Sequence, residues 1–298
     1  MGWALRRGRG RARVLAGDLP WIRSGLNLLV PTPYIPRVAR RILSWNVNGI
    51  RSCVGKGLVG WLRRSRADIV GLQETRVDAE KLPGELLGIR RFPHFSLEVA
   101  RSRKGYSGVG LLSRVEPEVV ETSLGIPRFD REGRFQLARF EDLLVANVYF
   151  PNGSGKDRDN SRVPYKLDFT RRVFDIVDEH RRQSGLPAII MGDFNTAPEP
   201  IDLARPGPNE KTSGFLPRER RALARCLARG YVDTFRALHP EEVRYSWWSS
   251  RFGVREKNIG WRIDLILASE DLMPRVRKAF VLTEVLGSDH CPIGIELD

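Results

Sequence analysis

The chain has four histidines, and one of them, His290, stands between Asp289 and Cys291 in the stretch GSDHCPIGIELD at residues 287–298. Asp, His and Cys side by side allow three chemistries: a metal cluster, a thiol nucleophile with its base, or an acid–base device beside an inert thiol. Other polar residues recur where apolar runs stop. ILSW runs into Asn46, and IVGLQ into Glu74. LLVANV runs into Tyr149 and then Pro151-Asn152-Gly153, and AIIM into Gly192-Asp193 with Asn195 close behind. In open α/β sheets the carboxyl ends of the strands are where sites are built. Asn, Gly and Asp are also ordinary turn residues, so it is the repetition of the pattern that carries weight.

The competing chemistries differ in what they require. A transition-metal cage needs a pattern such as H-E-x-x-H or C-x-x-C, and neither occurs. A G-x-S-x-G elbow is absent, GYSG at 105–108 not being one, and so is a G-x-x-x-x-G-K-[ST] phosphate loop. Hard oxygen ligands remain: Glu74, Asp193, Asp264 and Asp289. Such a set suits Mg²⁺ or Mn²⁺, bound through one or two carboxylates and completed by substrate phosphate. An acidic metal site in a basic protein fits phosphodiester cleavage, since positive surface gathers the polyanion and the cation neutralises charge developing at phosphorus.

The elements that must position these residues alternate between strands and helices. Strands are predicted at RRILSW (40–45), DIVGLQ (68–73), FPHFSLEV, GVGLLS, PEVVET, RFQLARF, LLVANVYF and LPAIIMGD. Further strands are expected at about 243–249, 261–268, 276–282 and 292–297. DIVGLQ and AIIM are nearly continuous apolar runs, as in strands covered on both faces. Helical spacing appears over 57–66, through Leu58, Trp61 and Leu62. It appears again over 163–182, with Val163, Leu167, Thr170, Phe174 and Val177 on one stripe. Residues 40–298 read as one catalytic domain. Residues 1–39 read as a basic extension without periodicity, expected to be disordered.

Composition bounds the partners. Lys and Arg number 50 against 36 Asp and Glu, giving +14, and only 8 of the basic residues are Lys. Arg suits forked contacts to phosphate, and the charge favours a polyanionic partner. Three widely spaced cysteines fit a reducing cytoplasm better than a disulfide framework. No run approaches the roughly 18 apolar residues of a membrane span.

Seven stretches together carry a family resemblance: LSWNVNGIRS, DIVGLQET, GYSGVGLLSR, NVYFPNG, IIMGDFNTAP, GWRIDLILAS and GSDHCPI. In order and spacing they resemble the motifs of the exonuclease III family of apurinic/apyrimidinic endonucleases, from about Arg40 to Asp298. The resemblance implies a four-layer α/β sandwich, two packed mixed β-sheets flanked by helices. It also implies a monomeric Mg²⁺-dependent nuclease, with Mn²⁺ able to substitute. Its substrates would be double-stranded DNA with abasic sites or blocked 3′ ends, cut 5′ to the abasic site, with 3′-phosphodiesterase, 3′-phosphatase or 3′→5′ exonuclease activity in addition.

Residue by residue, the resemblance makes His290 the site histidine and Asp264 its carboxylate partner. Glu74 becomes the principal metal ligand, with Asn46 close by and Asp289 near the metal or its waters. Asp193 matches the residue that activates or orients the attacking water. Asn195 and Asn152 would hold phosphate oxygens, and Tyr149 would contact the phosphate or the leaving oxygen. Trp261 and Trp248 would line the pocket for the base-free sugar, and Arg103, Lys104 and Lys166 would contact the DNA backbone. Asn48 stands where some relatives carry Asp. Cys291 is expected to be a small buried residue. The alternatives are a same-fold phosphodiesterase with another substrate, such as a non-specific deoxyribonuclease, and a DNA-binding module that has lost catalysis.

Overall fold

The apolar runs of the sequence become the central strands of two sheets. The computed structural model describes residues 40–298 except 158, 251 and 252, and the basic extension assigned to 1–39 lies outside the described residues. The first strands are β1 (Arg40–Asn46), β2 (Ile69–Gln73), β3 (His94–Glu98) and β4 (Val109–Ser113). Then come β5 (Val119–Glu121), β6 (Phe135–Phe140), β7 (Leu143–Tyr149), β8 (Ala188–Asp193), β9 (Tyr231–Asp233) and β10 (Asp264–Ser269). The last two are β11 (Val276–Val281) and β12 (Ile293–Leu297).

Among the described residues, one six-stranded sheet has the order β11-β12-β1-β2-β4-β3 and the other β5-β6-β7-β8-β10-β9. The pairs β1–β2 and β7–β8 are parallel and their neighbours antiparallel, so both sheets are mixed. Every residue of β2 and β8 is buried, as the continuous apolar runs require when both faces are covered.

The sheets face each other through Ile42, Ile69, Leu111, Val145, Ile189, Met191, Ile266 and Ile295. A seam of buried amides crosses the same interface. Gln73 Nε2 donates to Ser44 Oγ and to Asn147 Oδ1, and Asn147 Nδ2 donates to the carbonyls of Gly110 and Leu72 and to Gln136 Oε1. Bonded in this way, buried polar groups fix one relative placement of the sheets, where apolar contacts alone would tolerate sliding. Helices Ile50–Gly55 and Leu58–Arg64 cover the outer face of the first sheet. Val163–Ser184 and Pro217–Leu227 cover the second. The four layers expected from the resemblance are present.

The expected strand at 243–249 does not form. Trp247 makes only isolated bridges, to Trp261 and to His290, and the segment is spent on placing side chains. In the long helix, Leu167 is only half-buried, and the inward stripe runs through Val163, Lys166, Phe169, Thr170 and Val173.

Candidate active site

The strand pairing brings distant acids onto one rim. Parallel register sets Tyr149 beside Asp193, and antiparallel register sets Asp193 beside Asp264, so one rung across β7, β8 and β10 carries all three. Gly192 permits this packing: its φ is +144° and an added Cβ would lie 1.8 Å from the Val148 carbonyl oxygen, so no other residue fits. In the facing sheet, Asn46 ends β1, Glu74 follows β2 and His290 precedes β12. These ends meet the rung around a cleft of about 600 Å³.

Glu74 adopts a left-handed backbone, φ +56°, at a cost of roughly 1–3 kcal/mol for a non-glycine residue. The turn is held because the Glu74 and Thr75 carbonyls accept the N–H groups of Gly49 and Ile50. Its side chain is gripped from two sides, with Arg76 ion-paired to Oε1 and Asn46 Nδ2 donating to Oε2 at 2.9 Å. Asn46 Nδ2 also donates to Asp193 Oδ2 at 2.9 Å, so one amide bridges the two sheets' carboxylates.

His290 is buried. Its Nδ1 lies 2.8 Å from Asp264 Oδ2, and its Nε2 is 3.9 Å from Asp193 Oδ2. Burial works against a charged imidazole, but Asp264 first, then Asp193 and Asp289, outweigh it and raise the His290 pKa. Burial raises the Asp193 pKa, His290 pulls it back, and Asp264 and Glu74 add to the rise. A carboxylate raised towards neutrality beside a cationic imidazole is suited to taking a proton from water. Asp264 is itself held by Ser246, whose Oγ donates to Oδ2 at 2.6 Å.

Asn195, also left-handed, donates its Nδ2 to the Phe150 carbonyl at 2.9 Å and to Asp193 Oδ2 at 3.2 Å, and accepts from Asn152 Nδ2 at 3.1 Å. The Arg134 guanidinium sits 4.5 Å over the Tyr149 ring. Burial, then the charge of Glu74, raises the phenol pKa, so Tyr149 remains a donor.

Glu74, Asp193 and His290 offer ligand atoms within 4.8 Å of one another. The two carboxylates supply the oxygen donors a hard divalent cation prefers, and Asp193, its pKa raised first by burial and then by the charges of Asp264 and Glu74, sits where a cation would favour the ionised form. A metal therefore fits these residues. Asn46 and Asp289 have other partners. The Asn46 oxygen accepts the Asn48 N–H at 3.0 Å, and its amide nitrogen faces the acids. Asp289 Oδ1 accepts Asn48 Nδ2 at 2.8 Å, and Oδ2 accepts Trp247 Nε1 at 3.1 Å.

Two expectations need correction. Trp248 is 2% exposed, packed with Tyr245 and Cys291, and does not line the cleft. The wall is made by Trp247 and Trp261, whose rings meet edge to face at 6.3 Å. Adjacent residues of an extended segment point to opposite sides, and the sequence alone does not say which of two tryptophans faces the cleft. Lys166 is also 2% exposed and paired with Glu219 at 2.7 Å, so it cannot reach a DNA backbone. Arg103 and Lys104 are exposed but lie outside the cleft. Cys291 is fully buried, its thiol pKa raised far up by burial.

Sequence reasoning missed Ser246, Arg76 and Trp247. Arg76 had a signal, being a cation two residues after a strand-end acid. Ser246 had none, because its role depends on the fold bringing 246 to 264.

Comparison with known proteins agrees with this geometry. A model of the endonuclease/exonuclease/phosphatase family matches residues 43–290. The DNA repair nuclease APEX1 of Danio rerio is 36% identical over 86% of this chain and 82% of its own length. An exodeoxyribonuclease of Bacillus subtilis is 36% identical over 86% of this chain and 98% of its own. The structure of an AP endonuclease from Archaeoglobus fulgidus superposes with a TM-score of 0.76 at 30% identity, covering 87% of this chain and 99% of that one. The protein described here is an enzyme of the nuclease and phosphodiesterase type and belongs to the endonuclease/exonuclease/phosphatase family.

Proposed function

We propose that this enzyme is a monomeric Mg²⁺-dependent DNA repair nuclease that cuts duplex DNA 5′ to abasic sites and clears blocked 3′ ends, with 3′→5′ exonuclease activity in addition. The observation that carries the reading is the junction of two devices in one cleft: a His–Asp and carboxylate cluster for hydrolysis, and beside it a slot walled by Trp247 and Trp261. An abasic sugar is slim and already unstacked, so extruding it into an aromatic slot costs less than extruding an intact nucleotide.

The chain's residues divide the work. Asp264 fixes the imidazole tautomer and supports its positive charge, leaving Nε2 of His290 to face an anionic phosphate. Asp193 accepts a proton from the attacking water. Asn152 offers an amide donor to phosphate oxygens, Asn195 offers one on exchanging its 3.2 Å bond to Asp193 for phosphate, and Tyr149 offers its hydroxyl to the phosphate or the leaving oxygen. Glu74, with Asp193 and His290 adjoining, would hold a Mg²⁺ ion, which when bound would supply neutralisation of charge at phosphorus. Asp289 and Asn46 act beside that position, Asp289 by anchoring Trp247 and Asn46 by spacing the two carboxylates. Arg103 and Lys104, both exposed, would meet the DNA backbone.

The test is a duplex carrying one tetrahydrofuran abasic analogue, incubated with Mg²⁺, with Mn²⁺ or in excess EDTA. Incision on the 5′ side with either ion and none in EDTA is expected. Full activity after exhaustive chelation refutes the metal assignment, and equal cutting of unmodified duplex refutes the abasic one.

A further inference from the structure

Lys166 and Glu219 form a buried ion pair that the chemistry above does not use. Lys166 comes from the helix Val163–Ser184 and Glu219 from Pro217–Leu227, with Nζ and Oε1 2.7 Å apart and side chains 2% and 0% exposed. Taking two charges out of water is costly, and well-packed apolar residues often serve stability as well or better. Stability alone is therefore a weak reason for the pair.

Its other contacts lead to the cleft, apart from the Glu219 bond to Leu216 that caps its own helix. Lys166 Nζ donates to the Asn195 carbonyl at 2.6 Å. Glu219 Oε2 accepts the N–H of Gly214 at 2.7 Å and of Leu216 at 3.3 Å, while Oε1 accepts the Ser213 hydroxyl at 3.1 Å. Gly214 has φ +95°, and an added Cβ would come 3.0 Å from the Asn195 carbonyl oxygen and 3.3 Å from the Trp261 ring. A Cβ on Gly153 would lie 2.5 Å from Ser213 Oγ and 3.0 Å from Glu219 Oε1. Three segments that line the cleft, around Asn152, Asn195 and Gly214, thus converge on one pair.

We propose that Lys166 and Glu219 are positioning residues that set Asn195 and the Ser213–Gly214 wall at a fixed spacing around the scissile phosphate. The proposal rests on the reading of Asn195 as a phosphate-holding residue. Charge suits the task. An ammonium offers three donors and a carboxylate about four acceptor sites, so two side chains tie several backbone groups at once with charge-assisted bonds. Asn195 also touches Asp193 and Asn152, so a shift of its backbone moves the whole phosphate-facing group. Displacements of about 1 Å remote from the reacting atoms can cost as much as 10²-fold in rate.

The experiment is a double-mutant cycle of Lys166→Met, Glu219→Gln and the double variant. It measures kcat and KM for abasic incision at saturating Mg²⁺, with thermal melting of each protein. A positioning unit predicts that each single variant loses about tenfold or more in kcat, with KM within about threefold. It also predicts that the double variant loses no more than the worse single one. Variants that melt lower but keep kcat within about twofold of the parent would show a purely structural pair and overturn the proposal, and so would single losses that multiply in the double variant. If a single variant fails to fold because it leaves a buried charge unpaired, the double variant decides: a tenfold loss of kcat in the folded double supports the proposal, and parent-like kcat overturns it. Should the parent not cut abasic duplex, the abasic reading fails by itself. The same cycle on the phosphodiester or 3′-phosphate substrate that the parent does cleave then decides the positioning claim.

Discussion

Ser246→Ala removes one oxygen and tests how the catalytic histidine is held. In the parent, Ser246 Oγ donates to Asp264 Oδ2 at 2.6 Å and accepts the N–H groups of Ile263 at 3.2 Å and Asp264 at 3.1 Å. Asp264 Oδ1 is buried and has no hydrogen-bond partner among the described residues, so Oδ2 carries the carboxylate's hydrogen bonds there, to Ser246 and to His290. The Ser246 site is fully buried, and alanine opens no room for water to replace the hydroxyl. A hydrogen bond to a charged group contributes about 1.5–3 kcal/mol, and an orphaned buried donor costs about 1–3 kcal/mol. If only the lower figure of about 1.5 kcal/mol is felt where the imidazolium faces the phosphate, kcat falls about tenfold, at about 1.4 kcal/mol per decade. Stability should fall by at least about 2 kcal/mol, since each of the two backbone N–H groups that lose their acceptor costs about 1–3 kcal/mol. The assay is single-turnover incision of an abasic duplex at saturating enzyme, paired with urea unfolding of the same protein. A stability loss of the expected size with a rate unchanged within twofold would mean that Asp264 keeps its aim without Ser246, and the reasoning would be wrong.

Other substitutions separate the remaining roles. His290→Asn should lose at least about 10²-fold in rate while still binding DNA, and Cys291→Ser should be nearly silent; the reverse order in a turnover assay would return the thiol to consideration. Trp247→Ala and Trp261→Ala should lose abasic incision more than removal of a 3′-terminal phosphate, whereas Trp248→Ala should lower the melting temperature without changing that ratio, so equal losses on both substrates in all three would place the sugar slot elsewhere. Glu74→Ala should raise the Mg²⁺ concentration needed for half-maximal rate with little change in melting, and an unchanged titration would remove Glu74 from the ligands. Deleting residues 1–37 removes seven Arg and one Asp; if this arm meets DNA, the salt dependence of affinity flattens by about one unit of slope for each lost phosphate contact, and identical slopes would make it dispensable for binding.

What the sequence disclosed depended on how local the signal was. A continuous apolar run that ends in a polar residue is a local pattern, and Asn46, Glu74, Tyr149 and Asp193 could be picked out from it before any tertiary contact was known. The five strands expected between 92 and 150 all form, because each is bounded by Gly, Pro or charged turns. The burial of Lys166 is written in its spacing: it lies three residues after Val163 and four before Thr170, on the buried stripe of its own helix. The helix Pro217–Leu227 was not legible, since its four arginines leave only a thin apolar face and its buried Glu219 looks like surface. At Tyr245–Trp248 the adjacent aromatics imitate a strand, and Ser246 and Trp247 take their meaning from Asp264 and Asp289, far away in sequence. Register, which aligns Tyr149, Asp193 and Asp264, is a property of pairing that no single segment carries.

The Asn46 amide, shared between Glu74 of one sheet and Asp193 of the other, has a consequence for safety as well as for shape. Neither sheet owns the site. Glu74 and His290 belong to the first, while Tyr149, Asp193 and Asp264 belong to the second. A molecule in which the sheets have parted by even a few ångströms keeps every one of these side chains and loses their meeting point. The hydrogen-bonded seam behind Asn46 ties the two sheets together, and catalysis that needs groups from both requires that tie to hold. For a protein of net charge +14, which would cling to DNA in almost any conformation, that interlock confines cutting to the intact fold.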